Sequence, residues 1–333
     1  MRSHCKAILA VALCAAACLQ TGLAQVRSPS ILTIEVENLV QYQGDTSDPS
    51  KFATVPTVVT PSTPRNFGSN VSIGDIVSVN GQPAKGTMTR NSRALNLNPA
   101  AGPGQAVGDT VRNGVIADTF EILTSNGVPV GTIIAYGPSG GAAPPGSPLA
   151  QTMGNFAIVG GTGAFLGVRG QHGGIVGSQR NTSVTEDPAN RRRNAGPRES
   201  FALLVIPMEL PQIVVRAGYP AVTHLSDSSL VTAYNPAVPG EILSMFVTGL
   251  GPTNPGVNPG QPFPASPVAT ANSPVDVTVN GASAEVLAAI GFPGAVDGYQ
   301  VTFRMPPNTA KGTAIVQISA AWIVGSAVGI SVH

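Results

Sequence analysis

Cysteine is missing from almost the whole of this 333-residue chain: Cys5, Cys14 and Cys18 are its only three, and all lie within the first 18 residues. From Gln25 onward there is no disulfide, no thiol nucleophile and no cysteine metal ligand, so stability there rests on burial and strand pairing. Charge is also scarce, at 11% of residues, and aromatics make up 5%. Removing Arg2 and Lys6 from the 18 basic residues leaves 16 against 17 acidic ones, a formal charge of −1. That balance offers no basic field for nucleic acid or an anionic membrane. After residue 24 no apolar run is long enough to span a bilayer as a helix. Helix-favouring Glu, Lys and Leu are few, which argues against a helical fold.

The one long apolar stretch, residues 7–18, follows Arg2 and Lys6 and precedes Gly22-Leu23-Ala24. A short positive region, an apolar core and small residues at the cleavage positions read as a secretory signal over residues 1–24, hence a secreted protein. Lipoprotein processing at Cys18 is the rival. It is disfavoured because Ala15 stands where a large aliphatic residue is usual.

Glycine (39) and proline (30) are abundant, and they punctuate runs of β-branched and apolar residues. Such spacing predicts an all-β protein rather than disorder. Strands are expected at residues 30–42, 75–79, 86–90, 115–124 and 130–136. A strand–turn–strand follows over 156–176, and a last strand over 200–206. Asn80-Gly81 and Ser125-Asn126-Gly127 mark hairpin turns. Residues 44–70, 94–111 and 137–148 read as long loops, with some extended character near 55–59. Roughly eight antiparallel strands fit a closed barrel over 25–207, which removes exposed edges and can hold one small ligand. Residues 207–211 form a short hinge. Beyond it, runs at 213–216, 222–223, 240–248, 275–280, 282–289, 298–303, 312–319 and 324–332 are spaced like the strands of an Ig-like β-sandwich over 208–333. The fold class expected is therefore an eight-stranded antiparallel barrel plus an Ig-like β-sandwich.

The familiar catalytic patterns fail on context. Gly137-Pro138-Ser139-Gly140-Gly141 matches G-x-S-x-G, but the following AAPPGSP cannot form the helix a nucleophile elbow requires. Gly161-Thr162-Gly163 with Gly167 approximates a nucleotide-binding glycine pattern, but a strand follows instead of a helix. His172, His224 and His333 are unpaired at metal-ligand spacing, so no metal, nucleotide or flavin cofactor is implied. Candidate ligand-binding residues are Arg90, Arg112, Asp118 and Tyr136 on or beside expected strands, with Arg169, His172 and Arg191. A one-residue slip in a strand reverses its faces, so alternation alone leaves open which of them point inward. The charge-dense segment 186–199 carries Glu186, Asp187, Arg191, Arg192, Arg193, Arg198 and Glu199. It reads either as a solvated loop with internal ion pairs or as a lid whose arginines bind a carboxylate or phenolate.

The run FAIVGGTGAFLGVRG, residues 156–170, places three glycines in a tight structural turn, Gly160-Gly161-Thr162-Gly163. Together with Phe165 and Arg169-Gly170 it resembles the signature hairpin of dirigent and allene oxide cyclase-like barrels. That resemblance implies a barrel whose acidic and arginine side chains point inward, binding phenoxy intermediates or promoting cyclisation. The second half resembles an uncharacterised Ig-like C-terminal domain of secreted bacterial proteins. Its carrying residues are GLGPTNP (249–255), GQP (260–262), VTVNG (277–281) and GYQV (298–301) before Met305-Pro306. Three functions fit: binding of a small apolar or aromatic molecule, cofactor-independent cyclase or dirigent-like steering of a reactive intermediate, and a structural or adhesive cell-surface role. A homo-oligomer or a cell-envelope contact is compatible with each, and no catalytic residue is assigned.

Overall fold

The computed structural model describes residues 29–43, 66–96, 112–139, 149, 153–174, 180–183, 185–194 and 196–333. The expected signal at 1–24, the extended stretch near 55–59 and most of the loops at 94–111 and 137–148 lie outside the described residues. The first sheet contains β1 (Ser30–Gln43), β2 (Asn66–Val79), β3 (Gln82–Asn96), β4 (Arg112–Thr124), β5 (Pro129–Ser139), β6 (Met153–Gly163), β7 (Arg169–Gly174), β8 (Arg180–Ser183) and β9 (Glu199–Ile206). Eight strands run antiparallel in the order β2-β3-β4-β5-β6-β7-β9-β1, and β1 pairs back with β2, so the barrel is closed. The short β8 joins the end of β1 in parallel.

Side chains alternate between the two faces of each strand, as the pleat requires. Leu32, Ile34 and Val36 of β1, Met88 of β3, Phe120 and Ile122 of β4, and Phe201, Leu203 and Val205 of β9 fill the interior. Two of the strands are longer than apolar alternation predicts. β2 begins at Asn66 and pairs with β3 continuously out to Asn96, through Ser, Asn and Arg positions. These residues are held by backbone ladders and carry no apolar signal, and the same holds for the polar RNTS of β8.

At one end of the barrel the connections are tight. Asn80 and Gly81 both take positive φ (50° and 76°), the backbone of a two-residue hairpin turn. The turn at Gly127 closes on Thr124, and residues 164–168 close the third. At the other end β1, β3, β5 and β7 terminate at Gln43, Asn96, Ser139 and Gly174.

The second sheet follows residue 211. Its strands, with one separate two-stranded ribbon, are β10 (Gln212–Ile213), β11 (Val215–Arg216), β12 (Tyr219–Pro220), β13 (Val222–His224), β14 (Ile242–Thr248), β15 (Thr253–Asn254), β16 (Thr270–Ala271), β17 (Val275–Val279), β18 (Ala282–Gly291), β19 (Gly298–Arg304), β20 (Gly312–Ala320) and β21 (Ile323–Val332). The order β10-β14-β19-β18-β17-β20-β21 curls until its ends nearly meet, giving a second barrel-like sheet. Pro211 and Ser326 bridge the gap: Ser326 N–H donates to the Pro211 carbonyl, and Ile213 N–H donates to Ser326 Oγ. β11 and β12 form the ribbon. A separate core, including Leu243, Val247, Val301, Phe303, Val316 and Ile318, fills this sheet.

The two sheets touch at the tight-turn end of the first barrel. Ala321 and Trp322, between β20 and β21, both hold left-handed backbone (φ 49° and 60°). Neither residue favours that region. What offsets the strain is burial, because Ala321, Trp322 and Ile323 pack into the core of the first barrel. Trp322 Nε1 also donates to Gln82 Oε1 at 2.8 Å.

Among the described residues no helix is long and apolar enough to cross a membrane.

Candidate functional site

The barrel interior is apolar at the tight-turn end and polar halfway along. Arg90 and Asp118 are direct cross-strand partners on β3 and β4. Arg90 Nε and Nη2 donate to the two Asp118 oxygens at 2.8 Å each, a bidentate pair. His172 lies on β7, with β5 and β6 between it and β4 in the sheet order. Its Nε2 nevertheless sits 2.9 Å from Asp118 Oδ2, so this bond crosses the barrel interior. The side chains of Asp118 and His172 are fully buried, and that of Arg90 is 18% exposed.

Electrostatics keep the Arg90–Asp118 pair ionised. Burial alone pushes the Asp118 carboxyl up, but the Arg90 and His172 hydrogen bonds outweigh it and leave the carboxyl below its usual range. Burial lowers the Arg90 guanidinium, and the Asp118 bond more than restores it, so it ends above its usual range. An ionised carboxylate only accepts hydrogen bonds, so His172 Nε2 carries the hydrogen. In the neutral ring, Nδ1 is then a bare acceptor. Nδ1 is buried and has no hydrogen-bond partner among the described residues, and the same is true of Ser92 Oγ. Ser92 follows Arg90 by two on β3 and shares its face.

Three phenylalanines enclose the His172 ring. Phe156 stacks on it at 5.5 Å between centroids, Phe120 meets it edge-on at 5.3 Å, and Phe201 lies 5.7 Å away. The Arg90 guanidinium carbon sits 5.8 Å from the Phe201 centroid. Glu199, at the start of β9, is buried near Arg90. Burial raises its carboxyl above the ordinary value, and the Arg90 charge opposes this only in part. The chemistry available is therefore a satisfied ion pair set among aromatic rings, with one imidazole nitrogen and one hydroxyl that have no partner among the described residues. Arg90 commits Nε and Nη2 to Asp118, so its bidentate edge is not open to an incoming anion.

Three of the seven candidate binding residues thus converge: Arg90, Asp118 and His172. Of the others, three lie apart. Tyr136 faces outward from β5 and is 53% exposed. Arg169 is exposed and donates to the Val168 carbonyl. Arg112 opens β4, and its side chain lies outside the described residues. Arg191 is bound to Asp75, which faces outward from β2. Arg192 donates to both oxygens of the same carboxylate at 2.9 Å, and Asn38 adds a third contact. Arg198 pairs with Glu35, and Arg180 with Glu186, whose carboxyl is held down to about 2 by Arg180 and then Thr182. The partners of Arg191, Arg192 and Arg198 are the protein's own carboxylates on β1 and β2, and they bind the segment there. Replacing Asp75 by alanine removes the shared anchor, so trypsin is expected to cleave at 191–193 several-fold faster than in the parent. Unchanged digestion kinetics would show that the segment is held some other way.

Gly160, Gly161, Thr162 and Gly163 fall in the last residues of β6, and residues 164–167 make the turn itself. Ser139 of the G-x-S-x-G match ends β5, and residues 140–148 lie outside the described residues. Sequence reasoning missed Glu199 as an interior group by assigning it to the charged loop. The parity of β9 carries the signal: Phe201, Leu203 and Val205 face inward, and Glu199 shares their phase. No protein-family model, curated protein or solved structure matches this chain.

Proposed function

We propose that the first barrel binds a small apolar or aromatic molecule bearing a hydroxyl group. The observation that carries the reading is the orphaned Nδ1 of His172, fully buried among Phe120, Phe156 and Phe201 while Nε2 is fixed by Asp118. Buried polar atoms in folded proteins nearly always find a partner, and a ligand hydroxyl donating to Nδ1 supplies one. The phenylalanines provide the apolar walls typical of small-molecule sites. The resemblance of residues 156–170 to dirigent and allene oxide cyclase-like barrels agrees with an interior site. The expected signal peptide would put that site outside the cytoplasm, with the Ig-like half as an accessory module.

A second reading, cofactor-independent steering or cyclisation of a reactive intermediate, is favoured by the same histidine. A carboxylate that fixes the Nε2–H tautomer leaves Nδ1 able to take a proton from a bound hydroxyl. Enclosure between rings would then limit the conformers that react.

Titration with 4-ethylphenol and its methyl ether, 4-ethylanisole, tests the first reading. One hydrogen bond is worth about 1 kcal/mol, so the phenol is expected to bind roughly fivefold more tightly. His172→Phe, which suits the aromatic cage, is expected to erase that preference, while Arg191→Ala on the outer wall keeps it. Equal binding of both compounds by the parent, or a preference that survives His172→Phe, would contradict the proposal.

A further inference from the structure

A cavity of about 500 Å³ lies where the two sheets meet. It is outside the first barrel, and its walls come from the sequence runs that stood out in both halves. Gly163, Phe165 and Val168 of the β6–β7 turn form one side, and Met208 and Glu209 of the connecting segment follow. Gly249, Gly251, Gln261 and Phe263 from the stretch between β14 and β16, with Val296, Asp297 and Tyr299, form the other. The volume is that of an ordinary small-molecule site.

Its chemistry is one-sided. Two carboxylates, Glu209 and Asp297, line it, and among the described residues no lysine, arginine or histidine does. Among the described residues neither acid forms an ion pair. Loss of water around Asp297, and then the charge of Glu209, hold its carboxyl above the ordinary range, so the two acids repel across the cleft. Tyr299 feels the same field. Burial, then Asp297 and Glu209, push its phenol far up, so it stays a neutral hydroxyl, donating to the Gly251 carbonyl. Thr253, Asn258 and Gln261 add neutral polar groups, and most of the remaining wall is aromatic or aliphatic. Phe263 and Tyr299 form a tilted pair 5.0 Å apart, and Phe165 adds a third ring.

We propose that this cavity binds a small organic ammonium ion, its charge between Glu209 and Asp297 and its carbon substituents against Phe165, Phe263 and Tyr299. Carboxylates and ring faces together attract an alkylated cation and desolvate it cheaply. A bare divalent metal is a poor fit, because hard cations require six or more oxygen ligands and most of this wall is carbon. An anion meets two like charges. The site is independent of the barrel interior, so neither proposal stands or falls with the other.

Calorimetric titration of the protein with benzyltrimethylammonium chloride, at low ionic strength, is the test. Benzoate and benzyl alcohol, with the same ring and a negative or absent charge, are the comparisons. The cation is expected to bind one-to-one and at least tenfold more tightly than either. The double substitution Asp297→Asn with Glu209→Gln is expected to lower its affinity at least tenfold. Asparagine tolerates the left-handed backbone that Asp297 adopts (φ 52°), so this variant retains its fold, which circular dichroism verifies. Affinity in the parent is also expected to fall as pH drops and Asp297 protonates. Equal binding of the three probes, binding of none, or an unaffected double variant would each overturn the proposal.

Discussion

Replacing Asp118 by alanine is expected to destabilise the first barrel by about 3–5 kcal/mol, the range for removing one member of a buried ion pair. The size follows from what is left behind. Arg90 loses both of its 2.8 Å bonds, and His172 loses the partner of Nε2. His172 then remains among Phe120, Phe156 and Phe201, and Arg90 beside Phe201, without the carboxylate that satisfied both. The single tryptophan of the chain reports the loss directly, because Trp322 is packed against the barrel core and bonded to Gln82. Urea unfolding followed by its fluorescence is expected to show the transition move to much lower denaturant. The pH dependence has a definite sign. A carboxyl lowered on folding contributes stability that is present above its unfolded value, near pH 4, and is lost as pH falls through the folded value. The parent should therefore lose stability in that acid range, and Asp118→Ala should lose less. A variant as stable as the parent would show that the cluster contributes nothing to the fold.

Gly163→Ala is the second large effect, about 3 kcal/mol or more. Gly163 has φ 62°, and a Cβ there would sit 2.4 Å from the Val130 carbonyl oxygen and 2.9 Å from Gly131 Cα. Both obstacles are backbone of the paired strand β5 and cannot swing aside, so overpacking adds to the strain of a left-handed alanine. Gly160→Ala is the internal control. Its Cβ would meet only the Arg169 guanidinium, at 3.7 Å, and a change within about 0.5 kcal/mol is expected. Equal costs at the two positions, read from the same tryptophan transition, would remove the steric explanation of this glycine run.

How far the sequence foretold the molecule differs from element to element. Strand runs with apolar alternation, such as 30–42 and 200–206, were legible because one buried face repeats every second residue. The hairpin turn at Asn80-Gly81 was legible because its backbone requires left-handed residues. The polar halves of β2 and β3 were not, since backbone pairing holds them and leaves no mark on side-chain pattern. Arg90, Asp118 and His172 were visible as candidates, but their meeting was not. The His172–Asp118 bond crosses a closed barrel, and only closure, a property of the whole sheet, brings β7 within reach of β4. The role of Trp322 was hidden for the same reason: nothing local says that a turn of the second sheet will seal the base of the first. The arginines at 191, 192 and 198 were read as either ion-paired within their own segment or waiting for a ligand anion, but their partners are Asp75 and Glu35, more than a hundred residues earlier.

The central claim is that the first barrel holds a small molecule against His172. Gentle-ionisation mass spectrometry of the protein, purified from its native host without detergent, tests it most directly. The account predicts added mass that disappears on solvent extraction, with the extract containing an apolar or aromatic compound bearing a hydroxyl group. A bare protein mass, with no uptake from a panel of such compounds, would contradict it and leave the barrel as a structural element.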